Sequence, residues 1–315
     1  MAPKQETEIV VVGSANIDLV ATVESRPQPG ETVHALGYAE FLGGKGSNQA
    51  IAAARLGRQV AFVGLVGNDP EAQTVRGALA NEGIDLQHLA SVKSFSTGRA
   101  IIIVDSAAEN SIVVVGGANA QLGTEHIAAA AELIENAPIV VAQLEIPIET
   151  VTEVARMAKG TFVLNPAPAQ PLPAALLDAV DILVVNETEY ESVSGCTFPE
   201  DRELLAEQLR TQSLPAAVVI TLGGQGALVW DSTTLSHIST PRVQVVDTTG
   251  AGDTFIGALV DALSRGENLT SAAHWAVHAA SLSVGALGAT VGMPRRQEVA
   301  ALLENIREAT PPRLP

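Results

Sequence analysis

The chain has 315 residues, of which 47% are hydrophobic, and it carries a formal net charge of −17. This length suffices for a large α/β domain with a substantial core, and the composition is that of a globular protein rather than a disordered or fibrous one. The negative charge argues against sequence-independent binding to nucleic acid or to an anionic membrane surface.

The N-terminal residues, MAPKQETE, lead into an apolar run without the pattern of a secretory signal. No uninterrupted stretch of about 18 apolar residues follows, so no membrane span is predicted. Cys196 is the only cysteine, which excludes an internal disulfide and a need for an oxidising compartment. These features predict a cytoplasmic protein.

Short β-branched runs alternate with helical patterns along the chain, which predicts a mostly parallel sheet with helices on its faces. The predicted strands are 9–12, 60–63, 139–144, 162–165, 182–185 and 218–221. The predicted helices are 46–56, 71–81, 124–135, 148–159 and 202–210. Ligands of such sheets bind beyond the carboxyl ends of the strands. The polar residues and glycines that follow the strands are therefore candidates: Asn16, Asp18, Glu145, Asn165, Asn186, Glu189, Gly223 and Gly224.

Two segments, 15–42 and 97–116, depart from the alternation of strands and helices, because they contain β-branched residues and turn signals but no long helical pattern. The second contains a predicted hairpin around 106–110. Together they are expected to form a small β-sheet that covers the ligand edge as a lid within a single domain, 1–315. An exposed apolar face on such a lid would also suit a dimer contact.

The run GGKGSNQA at 43–50 places glycines around Lys45 at the start of an Ala-rich helix. It is not a P-loop, because a Gly rather than Ser or Thr follows Lys45. Gly44, Lys45 and Asn48 can instead present N–H, ammonium and amide donors to a polyhydroxylated ligand. A tight turn with a solvated lysine explains this run equally well.

Asn16 and Asp18 lie two residues apart, so their side chains share one face of an extended segment. An amide and a carboxylate on one face can bind vicinal hydroxyls. Ordinary turn chemistry uses the same residue types, which leaves both interpretations open.

The run NETE at 186–189 follows a predicted strand, with Asn186 and Glu189 three residues apart. On the first turn of a helix this spacing suits a hydrated Mg²⁺ that bridges nucleotide phosphates. A helix capping box is the structural alternative. In VITLGGQGA at 219–227, Thr221 and the glycines can cradle a nucleotide, and a hairpin turn accounts for the glycines as well.

The run DTTGAGDTF at 247–255 combines small residues with a carboxylate at a predicted helix start near Gly252. The free N–H groups of the first turn, together with Gly250 and Ala251, form an anion site. Asp253 is placed there to take a proton from an attacking hydroxyl, which predicts phosphoryl transfer. A first-turn structural role for Asp253 fits this run alone equally well.

The six histidines are dispersed without metal-ligand spacing, and no Ser-His-Asp or Cys-His pattern occurs. Zinc sites and the corresponding hydrolases are therefore excluded.

Six runs in this order resemble the ribokinase family of carbohydrate kinases over nearly the whole chain. They are VVVGSANIDL at 10–19, GGKGSNQA, NPAPA at 165–169, NETE, VITLGGQGA and DTTGAGDTF. The resemblance implies a three-layer α/β fold with a central mostly parallel sheet flanked by helices and a β-sheet lid. It also implies ATP-dependent phosphorylation of D-ribose at the 5-hydroxyl, with Mg²⁺, activation by K⁺, and a homodimer formed through the lid.

The family's residue roles transfer to matching positions. The resemblance implies that Asp253 is the base and that Gly250, Ala251 and Gly252 form the anion hole. The implied ribose ligands are Asn16, Asp18, Gly44, Lys45, Asn48, Glu145 and Asp253. The implied nucleotide residues are Asn186, Thr221, Gly223, Gly224, Gly226, Gly252, Val277 and His278, with Glu189 in the Mg²⁺ region. The implied K⁺ positions are Asp247, Thr249, Ser283, Ala286, Gly288 and Gly292.

Three positions depart from the family pattern. Val277 stands where Asn or His is common beside the adenine, and His278 is displaced by one residue. Ala286 stands where a basic residue is frequent, and Gly292 replaces a Ser. The alternatives to ribose phosphorylation are a kinase for deoxyribose, another pentose or hexose, or adenosine, and a non-catalytic sugar- or nucleotide-binding protein.

Overall fold

Thirteen strands occur in the described residues, 6–107 and 109–309, of this computed structural model. In chain order they are β1 (Ile9–Val12), β2 (Asn16–Thr22), β3 (Gly37–Gly43), β4 (Val60–Val66), β5 (Leu89–Ser91), β6 (Gly98–Val104), β7 (Asn110–Val115), β8 (Ile139–Gln143), β9 (Thr161–Asn165), β10 (Ile182–Asn186), β11 (Ala217–Thr221), β12 (Ala227–Trp230) and β13 (Leu235–Ile238). Nine of them form the main sheet, in the order β13-β12-β11-β10-β9-β8-β1-β4-β5. The other four form a small sheet in the order β3-β2-β6-β7.

Strand β1 shows why the main sheet is mostly parallel. Its sequence IVVV is buried at every position, which is typical of a strand covered on both faces. It pairs in parallel with both β4 and β8, so the strand order turns around at β1. The carboxyl ends of β1 and β8 therefore flank a switch point, where sheets of this kind bind ligands.

Eleven α-helices occur among the described residues. They are α1 (Lys45–Arg55), α2 (Pro70–Asn81), α3 (Thr124–Ala129), α4 (Ala131–Asn136), α5 (Ile148–Met157), α6 (Ala174–Leu177), α7 (Glu187–Ser194), α8 (Arg202–Thr211), α9 (Ala251–Ser264), α10 (Leu269–Ser283) and α11 (Arg296–Ala309). None of these helices is both long and apolar enough to cross a lipid bilayer.

The helices lie in two layers, one on each face of the main sheet. Ile9 and Val11 of β1 pack in a core with α1, α9 and α10, while Val10 and Val12 pack in a second core with α3, α5 and α8. Each fully buried Val or Ile side chain contributes roughly 1.5–3 kcal/mol. The predicted three-layer arrangement is thereby confirmed.

The six predicted main-sheet strands are present, but other elements differ from the sequence prediction. The predicted helix 124–135 is two helices, α3 and α4, because Ala130 leaves the helical conformation at φ −105° and ψ 9°. The stripe of Ile127, Ala130 and Ile134 stays buried across this break. Strands β5, β12 and β13 were not predicted, since they are only three or four residues long.

The small sheet is built from the two segments that interrupt the α/β rhythm. Its outer pairs, β2 with β3 and β6 with β7, are antiparallel, and the central pair of β2 and β6 is parallel. Strand β7 lies at an edge of the sheet and is exposed along its whole length. One residue of the predicted hairpin turn, Ala108, lies outside the described residues.

Candidate active site

Three adjoining cavities lie beyond the carboxyl ends of the main-sheet strands. Their volumes are about 660 Å³ for the first, 150 Å³ for the middle and 740 Å³ for the third. Lys45, Gly250 and Asp253 line both the first and the middle cavity, whereas Thr221 and Gly252 line both the middle and the third. The cavities therefore form one groove, and Asp253 lies at its first junction.

The first cavity gathers polar side chains from distant parts of the chain. They are Asn16 and Asp18 of β2, Lys45 and Asn48 of α1, Glu145 after β8, and Asp253 of α9. The structure thus brings together the side chains that the sequence suggested for a polyhydroxylated ligand, and Gly44 also lines this cavity. Gly43 leaves room for Asp18, since a Cβ there would lie 2.0 Å from a carboxylate oxygen of Asp18.

Glu145 is held from one side only. Its Oε2 accepts hydrogen bonds from Ser14 Oγ at 2.6 Å and from the N–H of Lys45 at 3.0 Å. Among the described residues no donor reaches Oε1, which leaves that oxygen for a ligand. Sequence reasoning missed Ser14, although its position directly after the buried β1 marks it as a residue of the ligand edge.

Asn16 is fixed by another residue that sequence reasoning missed. Asn119 Nδ2 donates to Asn16 Oδ1 at 2.7 Å, and Asn119 Oδ1 accepts from the N–H of Ala15 at 3.0 Å. Asn119 lies in a 3₁₀ turn, 117–121, and also lines the first cavity. Asn119 follows a strand of the small sheet, and the sequence analysis considered only polar residues that follow main-sheet strands, so it did not identify Asn119.

Helix α9 begins at the centre of the groove because Gly250 turns the chain into it. Gly250 has φ 76°, a left-handed conformation that strains any residue with a Cβ. A Cβ there would also lie 2.5 Å from the carbonyl oxygen of Ala289. Among the described residues no acceptor is found for the N–H groups of Gly252 and Asp253, so the helix start is available to an anion.

The carboxylate of Asp253 is buried and ordered. Asn48 Nδ2 donates to Oδ2 at 2.9 Å, and Gln49 Nε2 donates to Oδ1 at 3.0 Å. Asp253 is only 8% exposed, so it is not a solvated first-turn residue. Gln49 was not among the residues that the sequence suggested.

The charges of the first cavity perturb one another. Burial, and then the charges of Glu145 and Asp253, raise the pKa of Asp18 to about 7. Burial also raises the pKa of Asp253, against the lowering effect of Lys45 and the two amide donors. Burial alone would lower the pKa of Lys45, but the surrounding carboxylates outweigh it and the pKa of Lys45 is raised. Displaced carboxyl pKa values beside a cavity are typical of a functional site.

Asn186 and Glu189 form a capping box and also line the middle cavity. Asn186 Oδ1 accepts from the N–H of Glu189 at 2.8 Å, and Glu189 Oε2 accepts from the N–H of Asn186 at 3.0 Å. Burial raises the pKa of Glu189, partly offset by this bond and by Lys45. The two interpretations of NETE are therefore compatible, because one pair of side chains caps α7 and faces the cavity.

The third cavity is lined by backbone and apolar groups more than by charges. Thr221, Gly223, Gly224 and Gly226 line one side, and Ala251, Gly252, Phe255 and Val277 line the other. The glycines also form the turn of the β11–β12 hairpin, so that explanation of them holds too. His278 does not line this cavity: it is buried, and its Nδ1 lies 2.8 Å from the carbonyl oxygen of His274.

The positions suggested for a monovalent cation lie beside the α9 start, in the loop before α9, at the last residue of α10 and in the turns after it; they are called the 247–292 loop cluster. Asp247 Oδ1 accepts from the N–H of Thr249 at 2.9 Å, and its Oδ2 accepts from the N–H of Gly288 at 2.8 Å. The carbonyl oxygen of Ser283 lies 2.0 Å from where a Cβ of Gly292 would be, so this backbone leaves no room for a side chain at 292. Ala286 lies in the same loop, between Ser283 and Gly288.

Across the described part of the chain, no group of three or more His, Cys, Asp or Glu side chains is arranged to hold a metal ion.

Comparison with known proteins shows which proteins the whole chain resembles. The model of the pfkB family of carbohydrate kinases matches residues 6–296. The ribokinase of Bacillus subtilis is 41% identical over 298 residues, which cover 94% of this chain and 99% of that protein. The ribokinase of Staphylococcus aureus is 39% identical over 298 residues, covering 93% and 98%.

A solved structure of Arabidopsis thaliana ribokinase, complexed with ribose and ATP, is similar throughout. It superposes with a TM-score of 0.88 and 35% sequence identity, and the match covers 95% of this chain and 99% of that chain.

Proposed function

The chain belongs to the pfkB family of carbohydrate kinases, and from this premise we infer that it phosphorylates D-ribose at the 5-hydroxyl with ATP. The products are ribose 5-phosphate and ADP. The observation that carries the inference is Asp253, which lies at the junction of a polar cavity and an open helix N-terminus. A hydroxyl in the first cavity and a phosphoryl group at the helix start meet at this carboxylate.

Asp253 serves as the general base in this proposal. As the 5-oxygen bonds to the γ-phosphorus, its proton passes to the carboxylate, and the bond from that phosphorus to the β,γ-bridging oxygen breaks, so that ADP leaves. The N–H groups of Gly252 and Asp253 stabilise the charge on the transferred group, with Gly250 and Ala251 setting their direction.

Sugar recognition rests on the ordered side chains of the first cavity. Asp18 and Glu145 accept hydrogen bonds from hydroxyls, Lys45 donates to them, and Asn16 and Asn48 can donate or accept. Because Ser14 and Asn119 already hold Glu145 and Asn16, these groups lose little freedom when the sugar binds.

The nucleotide occupies the third cavity, with its triphosphate toward Gly252. Thr221 and the glycines at 223, 224 and 226 let phosphate or ribose approach the backbone, and Val277 packs against the base. Glu189 and Asn186 face the middle cavity, where Mg²⁺ with its waters fits one carboxylate. The ion would neutralise phosphate charge there.

The 247–292 loop cluster suits K⁺, since its donors are oxygens only and many are backbone carbonyls. Asp247, Thr249, Ser283, Ala286, Gly288 and Gly292 would hold the ion, with the carbonyl of Ser283 directed where the family has a side chain. The bound ion stabilises the loop before α9 and thereby the anion hole. With Gly at 292 one side-chain oxygen is lost, so we expect weaker binding than in relatives that carry Ser.

The small sheet acts as a lid over the sugar and as a dimer contact. Ala100, Ile102, Ile112 and Val114 line the first cavity, while Ile101 and Val113 are 44% and 61% exposed. An edge strand with this much exposed apolar surface suits a second copy of the chain. Sedimentation of Val113→Lys should show monomer where the wild type shows dimer, and Leu204→Lys on α8 is the matched surface control.

An ADP-release assay across ribose, 2-deoxyribose, fructose and adenosine tests the proposed function. We expect the highest kcat/KM with ribose, and ³¹P NMR should place the phosphate on the primary carbon. A higher kcat/KM with another acceptor would show that the chain is a related kinase. Sugar binding without ADP release would show that it is a non-catalytic binding protein. The requirement for ATP favours the cytoplasm.

The same assay tests the cation when K⁺ is added against choline at constant ionic strength. K⁺ should raise kcat above the rates in Na⁺ or Li⁺, and Asp247→Ala should abolish the difference. Asp231→Ala is the matched control, because Asp231 makes similar loop hydrogen bonds to Thr233 and Thr234 outside the three cavities. An unchanged wild-type rate from zero to saturating K⁺ would exclude activation and leave the kinase assignment intact.

A further inference from the structure

Gln49 reaches Asp253 because helices α1 and α9 cross very closely. A Cβ at Gly257, four residues after Asp253 on α9, would lie 2.8 Å from the carbonyl oxygen of Gln49 and 2.9 Å from the backbone nitrogen of Ala53. Only glycine fits this crossing without a shift of backbone. Residues four apart share a helix face, so the crossing at Gly257 also brings Gln49 to the Asp253 carboxylate.

The Asp253 carboxylate has one amide donor on each oxygen, and the two donors differ in their surroundings. Asn48, which donates to Oδ2, lines the first cavity and is available to a ligand. Gln49, which donates to Oδ1, lines neither the first nor the middle cavity and is 1% exposed. Gln49 therefore contacts the carboxylate from the protein side, where no substrate competes for its N–H group.

The orientation of the Gln49 amide is fixed by a second glutamine. Gln143 Nε2 donates to Gln49 Oε1 at 2.6 Å from the end of β8. A flipped Gln49 amide would turn its oxygen toward the carboxylate, which has no hydrogen to donate, so the carboxylate requires the observed orientation and Gln143 donates to the Gln49 oxygen. Gly13 makes this possible, since a Cβ there would lie 2.1 Å from Gln143 Oε1.

The same amides continue to the middle cavity. Gln49 Nε2 lies 3.4 Å from Asn165 Oδ1, and Asn165 Nδ2 lies 3.4 Å from Glu189 Oε2. The carboxylates of Asp253 and Glu189 are thus joined through two neutral side chains, those of Gln49 and Asn165.

We propose that Gln49 is a positioning residue for the catalytic carboxylate of Asp253, and that Gln143 holds Gln49 in its working orientation. The proposal rests on the phosphotransfer proposed above. Asn48 and Gln49 together fix the plane of the carboxylate, and each oxygen keeps a lone pair for the substrate proton. Without the Gln49 donor, the carboxylate can rotate and its ionised form loses a favourable contact.

The test compares Gln49→Met, which keeps the chain length but removes the amide, with the wild type. Loss of one hydrogen bond to a charged group should lower kcat about 10-fold near neutral pH, with KM for ribose and ATP changed less than about twofold. Since Asp253 acts when ionised and its pKa rises, the acidic limb of the kcat profile should move to higher pH. Gln143→Met should cause the same changes to a smaller extent.

Gln208→Met is the matched control, because it removes a glutamine that accepts a hydrogen bond from Tyr190 at 3.0 Å on α8, outside the three cavities. Its kcat and pH profile should equal those of the wild type. Unfolding is followed for every variant by circular dichroism. If Gln49→Met does not fold, Gln49→Asn and Gln143→Met serve for the same measurement.

An active wild type together with an unchanged pH profile in the Gln49 and Gln143 variants would overturn the inference, even if kcat fell with stability. A wild type that transfers no phosphoryl group to any acceptor would instead overturn the proposed function. The two failures are therefore distinguishable.

Discussion

The first and third cavities lie on either side of the same helix start, yet they are built from different groups. The first combines apolar residues of the small sheet with several charged and amide side chains, some of which are fixed by further buried side chains such as Ser14 and Asn119. The third is lined by glycines, by apolar residues such as Val277 and by hydroxyl side chains, with Arg242 as its one charged residue among those described. A site that recognises hydroxyls by hydrogen bonds penalises a lost partner heavily, whereas apolar contacts discriminate weakly. Mutations in the first cavity should therefore have the larger effects.

Removal of the base should have the largest effect. Asp253→Asn keeps the size of the side chain and a polar helix start but cannot accept the proton, so kcat should fall by about 10² or more. Binding of ribose and ATP, measured by calorimetry, should change little. Turnover near that of the wild type would show that Asp253 has only a structural role.

Removal of a sugar ligand should have the next largest effect. Asp18→Ala deletes a hydrogen-bonding carboxylate, and kcat/KM for ribose should fall by about 10- to 100-fold while ATP affinity is retained. The wild type should also use 2-deoxyribose clearly less well than ribose, since a missing hydroxyl leaves a buried polar group without a partner. Equal kcat/KM values for the two sugars would contradict the ribose assignment.

The same contrast explains which parts of the site the sequence predicts. Asp18, Glu145 and Asp253 are charged residues after strands or at a helix start, so their chemistry is visible in the sequence. Gln49 and Asn119 act through other side chains, and their partners are about 204 and 103 residues away in the chain, which no local pattern reveals. Val277 and His278 were both suggested for the nucleotide by alignment with the family, and only the α10 geometry shows that Val277, not His278, lines the cavity.

The fold was easier to predict from the sequence than these side-chain contacts. Buried runs such as IVVV predict parallel strands because burial on both faces requires continuous apolar residues. The break at Ala130 and the short strands β12 and β13 depend on tertiary packing, and local propensity does not encode them.

A change on the nucleotide side should have a smaller effect. Val277→Ala removes part of one apolar contact, so KM for ATP should rise by about threefold to tenfold with kcat nearly unchanged. The KM for ribose should stay constant, which distinguishes a local loss of packing from a collapse of α10. A larger effect on kcat than on KM for ATP would show that the third cavity affects catalysis as well as nucleotide binding.

The smallest expected effect concerns the folding stability that the protein without ligand loses when Asp18 ionises. Burial and the neighbouring carboxylates raise the pKa of Asp18 to about 7 in the folded state, from an ordinary value of 3.8. Because its pKa is raised on folding, the contribution of neutral Asp18 to the free energy of unfolding is fully present below pH 3.8 and is lost as the pH rises to about 7. Asp18→Asn removes the charge, so at pH 8 its Tm should exceed that of the wild type by about 2 °C or more, and near pH 4 the two should agree.

Asp231→Asn is the matched control with the opposite sign. Hydrogen bonds from Thr234 and Thr233 lower the pKa of Asp231, so its carboxylate stabilises the fold at neutral pH and this contribution is lost only in acid. Its replacement should lower Tm at pH 8. Saturating ribose should then raise the Tm of the wild type by more than that of Asp18→Asn, because a carboxylate accepts hydrogen bonds on two oxygens whereas the amide of Asn has a single acceptor oxygen. A Tm difference between Asp18→Asn and the wild type that is the same at pH 4 and pH 8 would show that the charge of Asp18 does not destabilise the free protein.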